Sequence, residues 1–382
     1  MNRATLANIV DALIRPEVKG FEPYLPGRSL ESVRRELGLK HMVKLASNEN
    51  PLGPSPRALK AIAKVGKAFY RYPDGASVSL RQAAAKKYKV PANEVIIGAG
   101  SDELIELLGK TFLSPDDSIV VSTHAFIRYQ MAADLMGART IHVPMNEFTH
   151  DLKAMADAIE PSTKMVFIAN PNNPTGTYNT EAQLEALLAR VAEINAQKPT
   201  PILVVVDEAY YEYAKALTKD YPDTLALRQR YPNLLVLRTF SKVYALAGLR
   251  IGYGFADPSI IRALDRARPP FNVSTAGQAA AEASLADTAQ VRRGIQLVKE
   301  GRKMILPVLA TWGLPVVPSA ANFFLMDIAP HVGQKVFEAM LKRGLIIRAL
   351  DEYGFPHHIR VTYGLPSENK LFLNVLREVL DA

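Results

Sequence analysis

Cysteine is absent from the 382 residues, which excludes disulfides and thiolate-held metals and fits a reducing, cytoplasmic setting. Long apolar runs are missing too. A membrane-spanning helix needs about 20 consecutive apolar residues, and here the hydrophobic stretches are short. Asp11 and Glu17 interrupt the first twenty residues, where a secretory signal needs an unbroken apolar segment. A stripe of one charge sign is likewise lacking. The formal net charge is +8, but the basic residues stand singly or in pairs such as Arg34-Arg35, Lys86-Lys87 and Arg292-Arg293, without interleaved aromatics. That pattern argues against nucleic acid and favours phosphorylated or dicarboxylate ligands, which a positive balance helps draw in. Repeats and low-complexity tracts are absent, and nothing in the sequence suggests a metal site.

What is present is ordinary for a soluble globular protein with room for two cores: 48% hydrophobic and 22% charged residues. Between about residues 90 and 255, strand-like runs at 95–97, 118–121, 139–143, 165–168, 202–206, 234–237 and 251–255 alternate with helical patterns. Alternation of this kind predicts an α/β fold with a mostly parallel sheet covered by helices on both faces. After Arg268-Pro-Pro-Phe-Asn272 the pattern becomes a helical stretch, about 275–312, followed by strands near 322–326, 345–347 and 359–362, read as a smaller α+β domain. Leu6, Ile9, Val10, Leu13 and Ile14 follow helical spacing, which suits an amphipathic arm seeking a surface. The expected organisation is an arm over 1–45 packing on the small domain and on a partner subunit, a large domain over 46–270 and a small domain over 271–382.

Three strand ends carry the chemistry. The run Leu234-Leu-Val-Leu-Arg-Thr-Phe-Ser-Lys242 ends in Ser-Lys, and Arg250 follows eight residues later. A lysine so placed suits covalent attachment to an aldehyde cofactor, with Ser241 and Arg250 supplying a hydroxyl and a planar cationic fork for a phosphate. Upstream, the buried run Ile202-Leu-Val-Val-Val206 ends at Asp207. That carboxylate can pair with a protonated pyridine nitrogen, or it can cap a helix. Tyr210 can donate to a ring's phenolic oxygen. Third, Ala169-Asn-Pro-Asn-Asn-Pro-Thr-Gly176 specifies a stiff turn that presents Asn173 to the same oxygen. A further turn, Gly98-Ala-Gly-Ser-Asp-Glu103, opens a helix whose backbone amides favour phosphate, although Ser101 can equally cap that helix.

In this order the motifs resemble those of the pyridoxal-phosphate enzymes of aminotransferase fold type I, and among them the histidinol-phosphate aminotransferases. The resemblance covers nearly the whole chain and includes Pro23-Tyr24-Leu-Pro-Gly27, Lys44-Leu-Ala-Ser-Asn-Glu-Asn-Pro-Leu-Gly53, Arg71-Tyr72-Pro-Asp74, Gly344-Leu-Ile-Ile-Arg348 and Ile359-Arg360-Val-Thr362. It implies a three-layer fold with a seven-stranded sheet and a homodimer. Pyridoxal 5′-phosphate is then attached at Lys242, stacked by Phe126, paired with Asp207, contacted by Asn173 and Tyr210, and held at its phosphate by Ser101, Asp102, Ser241, Arg250 and Tyr72 of the other subunit.

Substrate binding is implied for Arg360, at an α-carboxylate or a phosphate, and for Arg348, at a remote acidic group, with Tyr24 and Asn322 completing the pocket. An ion pair stapling the small domain is the bland alternative for Arg348. His124-Ala125 replaces the family's usual Pro-Thr, and His124 reads as loop structure. The implied reaction is transamination between L-histidinol phosphate and 2-oxoglutarate. Its rivals are transamination of aromatic amino acids, decarboxylation of a phospho-amino acid, and a non-catalytic regulator that senses the cofactor; the last would need a DNA-binding module, and the roughly forty-residue arm shows no helix-turn-helix pattern.

Overall fold

In a computed structural model of the chain, residues 10–21, 34–36, 38, 39 and 41–381 are described. The strands are β1 (Val43–Lys44), β2 (Val95–Gly98), β3 (Ser118–Ser122), β4 (Arg139–Val143), β5 (Thr163–Ala169), β6 (Leu203–Asp207), β7 (Leu234–Thr239), β8 (Gly252–Phe255), β9 (Val316–Val317), β10 (Phe323–Asp327), β11 (Leu345–Ile346), β12 (Arg348–Leu350) and β13 (Phe355–Thr362). Each of the seven runs expected between residues 90 and 255 forms a strand, and together they make one sheet of order β2-β8-β7-β6-β5-β3-β4. β8 runs antiparallel to both neighbours, and the other pairings are parallel.

Two-sided burial explains the composition of the central strands. Val204, Val205 and Val206 are all fully buried and alternate between two apolar clusters, one on each side of the sheet. Each such side chain contributes roughly 1.5–3 kcal/mol, and β-branched residues fit the pleated surface. The polar residues therefore collect where strands end, which is where the cavity lies.

A second sheet of order β12-β13-β10-β9 forms beyond residue 316, and β1 pairs in parallel with β11. The helical stretch expected over 275–312 is two helices, Thr275–Leu285 and Thr288–Thr311. They are divided at Asp287, whose side chain caps the second by accepting from Gln290 N. The first of them packs against helices Pro56–Val65 and Val78–Tyr88, so the layer over the large sheet continues past residue 270. The amino-terminal segment divides its contacts: β1 joins the small-domain strand β11, while Arg15 Nη2 donates to Leu135 O at 3.2 Å on the large sheet's side. Among the described residues no helix is long and apolar enough to cross a membrane.

Candidate active site

A cavity of about 1130 Å³ opens at the carboxyl ends of β3, β5, β6 and β7, and Lys242, Asp207 and Ser101 all line it. Open α/β sheets bind ligands at this edge because strand ends and helix starts expose unpaired polar groups there. Lys242 follows β7 through a turn in which the Thr239 hydroxyl donates to Ser241 Oγ at 3.0 Å and accepts from Ser241 N at 3.1 Å. Its Nζ donates to Ser47 O at 3.3 Å and lies 5.5 Å from the centre of the Tyr210 ring. The cavity exposes one flank of the residue, but protein surrounds the amine. Burial, followed by the positive field of Arg360, pushes its pKa down to about 8, so an appreciable fraction is the neutral, nucleophilic amine near that pH.

Asp207 ends β6, and burial raises its carboxyl to about 6. It does not cap a helix: the next one, Tyr211–Leu217, has Tyr210 at its cap position. Its Oδ2 accepts from Tyr129 Oη at 2.9 Å and its Oδ1 from Ala209 N at 3.1 Å. Tyr210 is buried and its phenol is pushed up to about 12, chiefly by that burial. Its oxygen accepts from Asn48 Nδ2 at 2.9 Å, which leaves its hydrogen for an acceptor in the cavity. Asn322 lies outside the cavity lining. It donates to Asn48 O at 3.0 Å and so supports the residue that holds Tyr210.

The helix start at the cavity is shaped by backbone. The helix Ser101–Phe112 is capped by Gly100, not Ser101, whose hydroxyl makes no capping bond. Gly100 has φ +87° and ψ 165°, and a Cβ there would lie 2.8 Å from Arg250 Nη2. A Cβ on Gly252 would strike Ser101 N at 2.3 Å. Both glycines let the helix start, Arg250 and β8 converge. The acidic side chains turn away from this point: Asp102 accepts from Arg128 Nε at 2.5 Å, and Glu103 accepts from Ala99 N at 2.6 Å. Arg250 spends one nitrogen on Ala247 O at 3.0 Å.

Arg360 is buried and does not itself line the cavity: its Nη2 donates to Ala46 O at 2.6 Å and its Nη1 donates to Oδ1 of Asn173, which does line it. With its carbonyl so engaged, Asn173 offers a cavity ligand its amide donors. Arg348 lines the cavity and pairs with Glu352 at 2.8 Å. Phe126 and His124 line it as well, His124 packed on Phe355 with ring centres 4.2 Å apart. Tyr72 stays outside: it is 82% exposed and stacks on Phe271. Tyr24 lies outside the described residues. Sequence reasoning assigned no role to Tyr129, Asn48, Arg128 or Glu352. Asn48 lies within one of the quoted motifs, and its positive φ of 55° marks a constrained position that sequence alone does not disclose.

Residues 40–376 match the family described as aminotransferase class I and II. The chain is 46% identical, over 97% of its length and all of the relative's, to histidinol-phosphate aminotransferase of Anaeromyxobacter sp. (strain Fw109-5). It is 45% identical to the histidinol-phosphate aminotransferase of Moorella thermoacetica, over 96% of this chain and 92% of that one. Its structure is similar to that of histidinol-phosphate aminotransferase from Sinorhizobium meliloti in complex with pyridoxal-5′-phosphate, with a TM-score of 0.86 and 28% identity over 97% of this chain and 98% of that one.

Proposed function

Because the chain belongs to the class I and II aminotransferases, we propose that it moves the amino group of L-histidinol phosphate to 2-oxoglutarate using pyridoxal 5′-phosphate. The products are imidazole acetol phosphate and L-glutamate, a step of histidine biosynthesis. The observation that carries this reading is convergence: a lysine with a lowered pKa, a buried carboxylate and a cation beside a helix start line one cavity.

The residues fit the cofactor. Arg250 has no carboxylate within ion-pair distance among the described residues, and Gly100 and Gly252 let that guanidinium and the helix start approach more closely than any side chain there would allow. Lys242 would hold the aldehyde carbon, Asp207 the ring nitrogen, Tyr210 and Asn173 the phenolic oxygen, and Phe126 the ring face. The phosphate would rest on Ser101, the backbone at Asp102, Ser241, Arg250 and Tyr72 of a second copy. When bound, pyridoxal phosphate supplies a carbonyl carbon for amine attack and an electron sink for the pair released at the substrate Cα.

The chain's own residues do the rest. Asp207 keeps a proton on the ring nitrogen, and Tyr129 and Ala209 N stabilise its ionised form. Lys242 would take the proton from the substrate Cα and return it across the nitrogen, two bonds away, at the former aldehyde carbon, and its lowered pKa matches that task. Tyr210 donates its phenolic hydrogen into the cavity. Arg360 binds the α-carboxylate of glutamate or the phosphate of histidinol phosphate, and Arg348 meets the distal carboxylate of the acceptor. Tyr72 lies outside its own cavity, in an exposed apolar surface with Phe69, Tyr70, Val78 and Phe271, and this supports a homodimer whose copies complete each other's sites. The arm, the large domain and the small domain frame this arrangement.

A substrate panel tests the assignment. Single-turnover absorbance changes with histidinol phosphate, phenylalanine and tyrosine should favour histidinol phosphate, with glutamate formed from 2-oxoglutarate. Preference for the free aromatic acids, or carbon dioxide release without an acceptor, would overturn it.

A further inference from the structure

One cavity carboxylate has no part in the reaction so far described. Glu352 stands in the short turn Asp351–Tyr353 directly after β12, and its Oε2 accepts from Arg348 Nη2 at 2.8 Å. The other cavity carboxylates are engaged elsewhere: Asp207 with Tyr129, Asp102 with Arg128 and Glu49 with Lys44. The Arg348 side chain is 29% exposed and that of Glu352 is 75% exposed. The arginine is therefore half-enclosed in the wall, while its carboxylate partner sits in water at the rim and can leave.

The proposed reaction asks two different things of Arg348. The acceptor 2-oxoglutarate brings a distal carboxylate, for which a guanidinium offers a two-pronged site. Histidinol phosphate brings an imidazole, which carries no anion to that place, yet the guanidinium stays charged. A half-enclosed cation without a counter-ion is disfavoured. We propose that Glu352 is a specificity-determining residue: an internal carboxylate that occupies Arg348 while the imidazole ring lies in the cavity, and that the distal carboxylate of 2-oxoglutarate displaces. The inference rests on the transamination proposed above. Exposed ion pairs are weak enough to be exchanged, so one site can take a ring in one half-reaction and an acid in the other.

The test uses the holoenzyme as wild type, Glu352→Gln, Arg348→Ala and the double variant, with KM measured for both substrates. Glu352→Gln should lower the ratio of KM for 2-oxoglutarate to KM for histidinol phosphate by roughly two- to fivefold, the range that breaking an exposed pair allows, with kcat little changed. In the Arg348→Ala background the same substitution should leave the ratio unmoved, since nothing remains to compete for. An unchanged or increased ratio in Glu352→Gln overturns the proposal, and so does a lowered ratio that persists without Arg348. A wild-type enzyme that fails to couple these two substrates instead removes the underlying reading of function.

Discussion

Tyr129 Oη donates to Asp207 Oδ2 at 2.9 Å across 78 positions of sequence, and both side chains are buried. The phenol comes from the helix after β3 and the carboxylate from the end of β6, so the sheet order brings them together. A hydrogen bond to a charged group is worth about 1.5–3 kcal/mol. Tyr129→Phe keeps the ring stacked on Phe167 but removes the donor. Burial already raises Asp207, and losing a bond to its ionised form raises it further. The acid limb of the kcat/KM profile should move to higher pH by about 1–2 units, because a protonated Asp207 cannot hold a proton on the ring nitrogen. A pH–rate profile of the half-reaction checks this. An unmoved limb would show that the phenol does not tune the carboxylate.

Lys242→Ala should abolish nearly all turnover, since among the described residues no other lysine lines the cavity and a second group cannot both attach the cofactor and move the Cα proton. Borohydride reduction of the wild type with pyridoxal phosphate, followed by peptide mass analysis, should place the added mass on Lys242. Label on another lysine, or retained turnover in the variant, would refute the assignment.

The parts of the site that lie just past strands were legible in sequence. Asp207, Ser241 and Lys242 each follow a short apolar run that reads as a buried strand, and a polar residue there sits at the sheet edge. The contacts that tune them were not. Asn48 meets Tyr210 across 162 positions, and local periodicity carries no information about such partners. Of the two readings open for Ser101, the helix cap is not the one adopted: the cap position falls on Gly100, whose backbone conformation no side chain signals. The break between helices at Asp287 was passed over, since the apolar spacing continues across it. Tyr72 is the opposite case: its exposed ring has a role in the proposal only through the family resemblance and a second copy.

Gly100→Ala should weaken the cofactor's hold without touching a catalytic group. With φ +87° and ψ 165°, the residue occupies a region essentially reserved for glycine, and any other side chain there costs about 1–3 kcal/mol. The added Cβ would also press on Arg250 Nη2 and move the guanidinium off the phosphate position. Titration of pyridoxal phosphate into the apoprotein should show an affinity roughly tenfold lower, the factor that about 1.4 kcal/mol represents. Affinity equal to wild type would mean that the cradle is not where the phosphate rests.

His150 gives the clearest pH prediction for stability. It is buried between strand ends, with Nε2 at 2.9 Å from Ala169 O and Nδ1 at 2.6 Å from Ser122 Oγ. A carbonyl only accepts, so Nε2 carries the hydrogen and Nδ1 accepts from the serine hydroxyl, which fixes the neutral tautomer. Burial lowers its pKa from 6.5 to about 4. The unfolded chain therefore takes up a proton below pH 6.5 that the folded protein refuses until near pH 4. The stability His150 contributes is fully present above pH 6.5 and is lost as pH falls through that window, by about 2 kcal/mol at pH 5. His150→Gln should be the less stable protein at pH 7.5, because the fitted imidazole is gone, and should be much closer to wild type at pH 5. Urea unfolding of both proteins at the two pH values measures the gap. A gap that does not narrow would mean that the imidazole is already protonated in the fold, and with it the arrangement that ties β3 to β5 beneath the Phe126 and Asn173 loops would have to be redrawn.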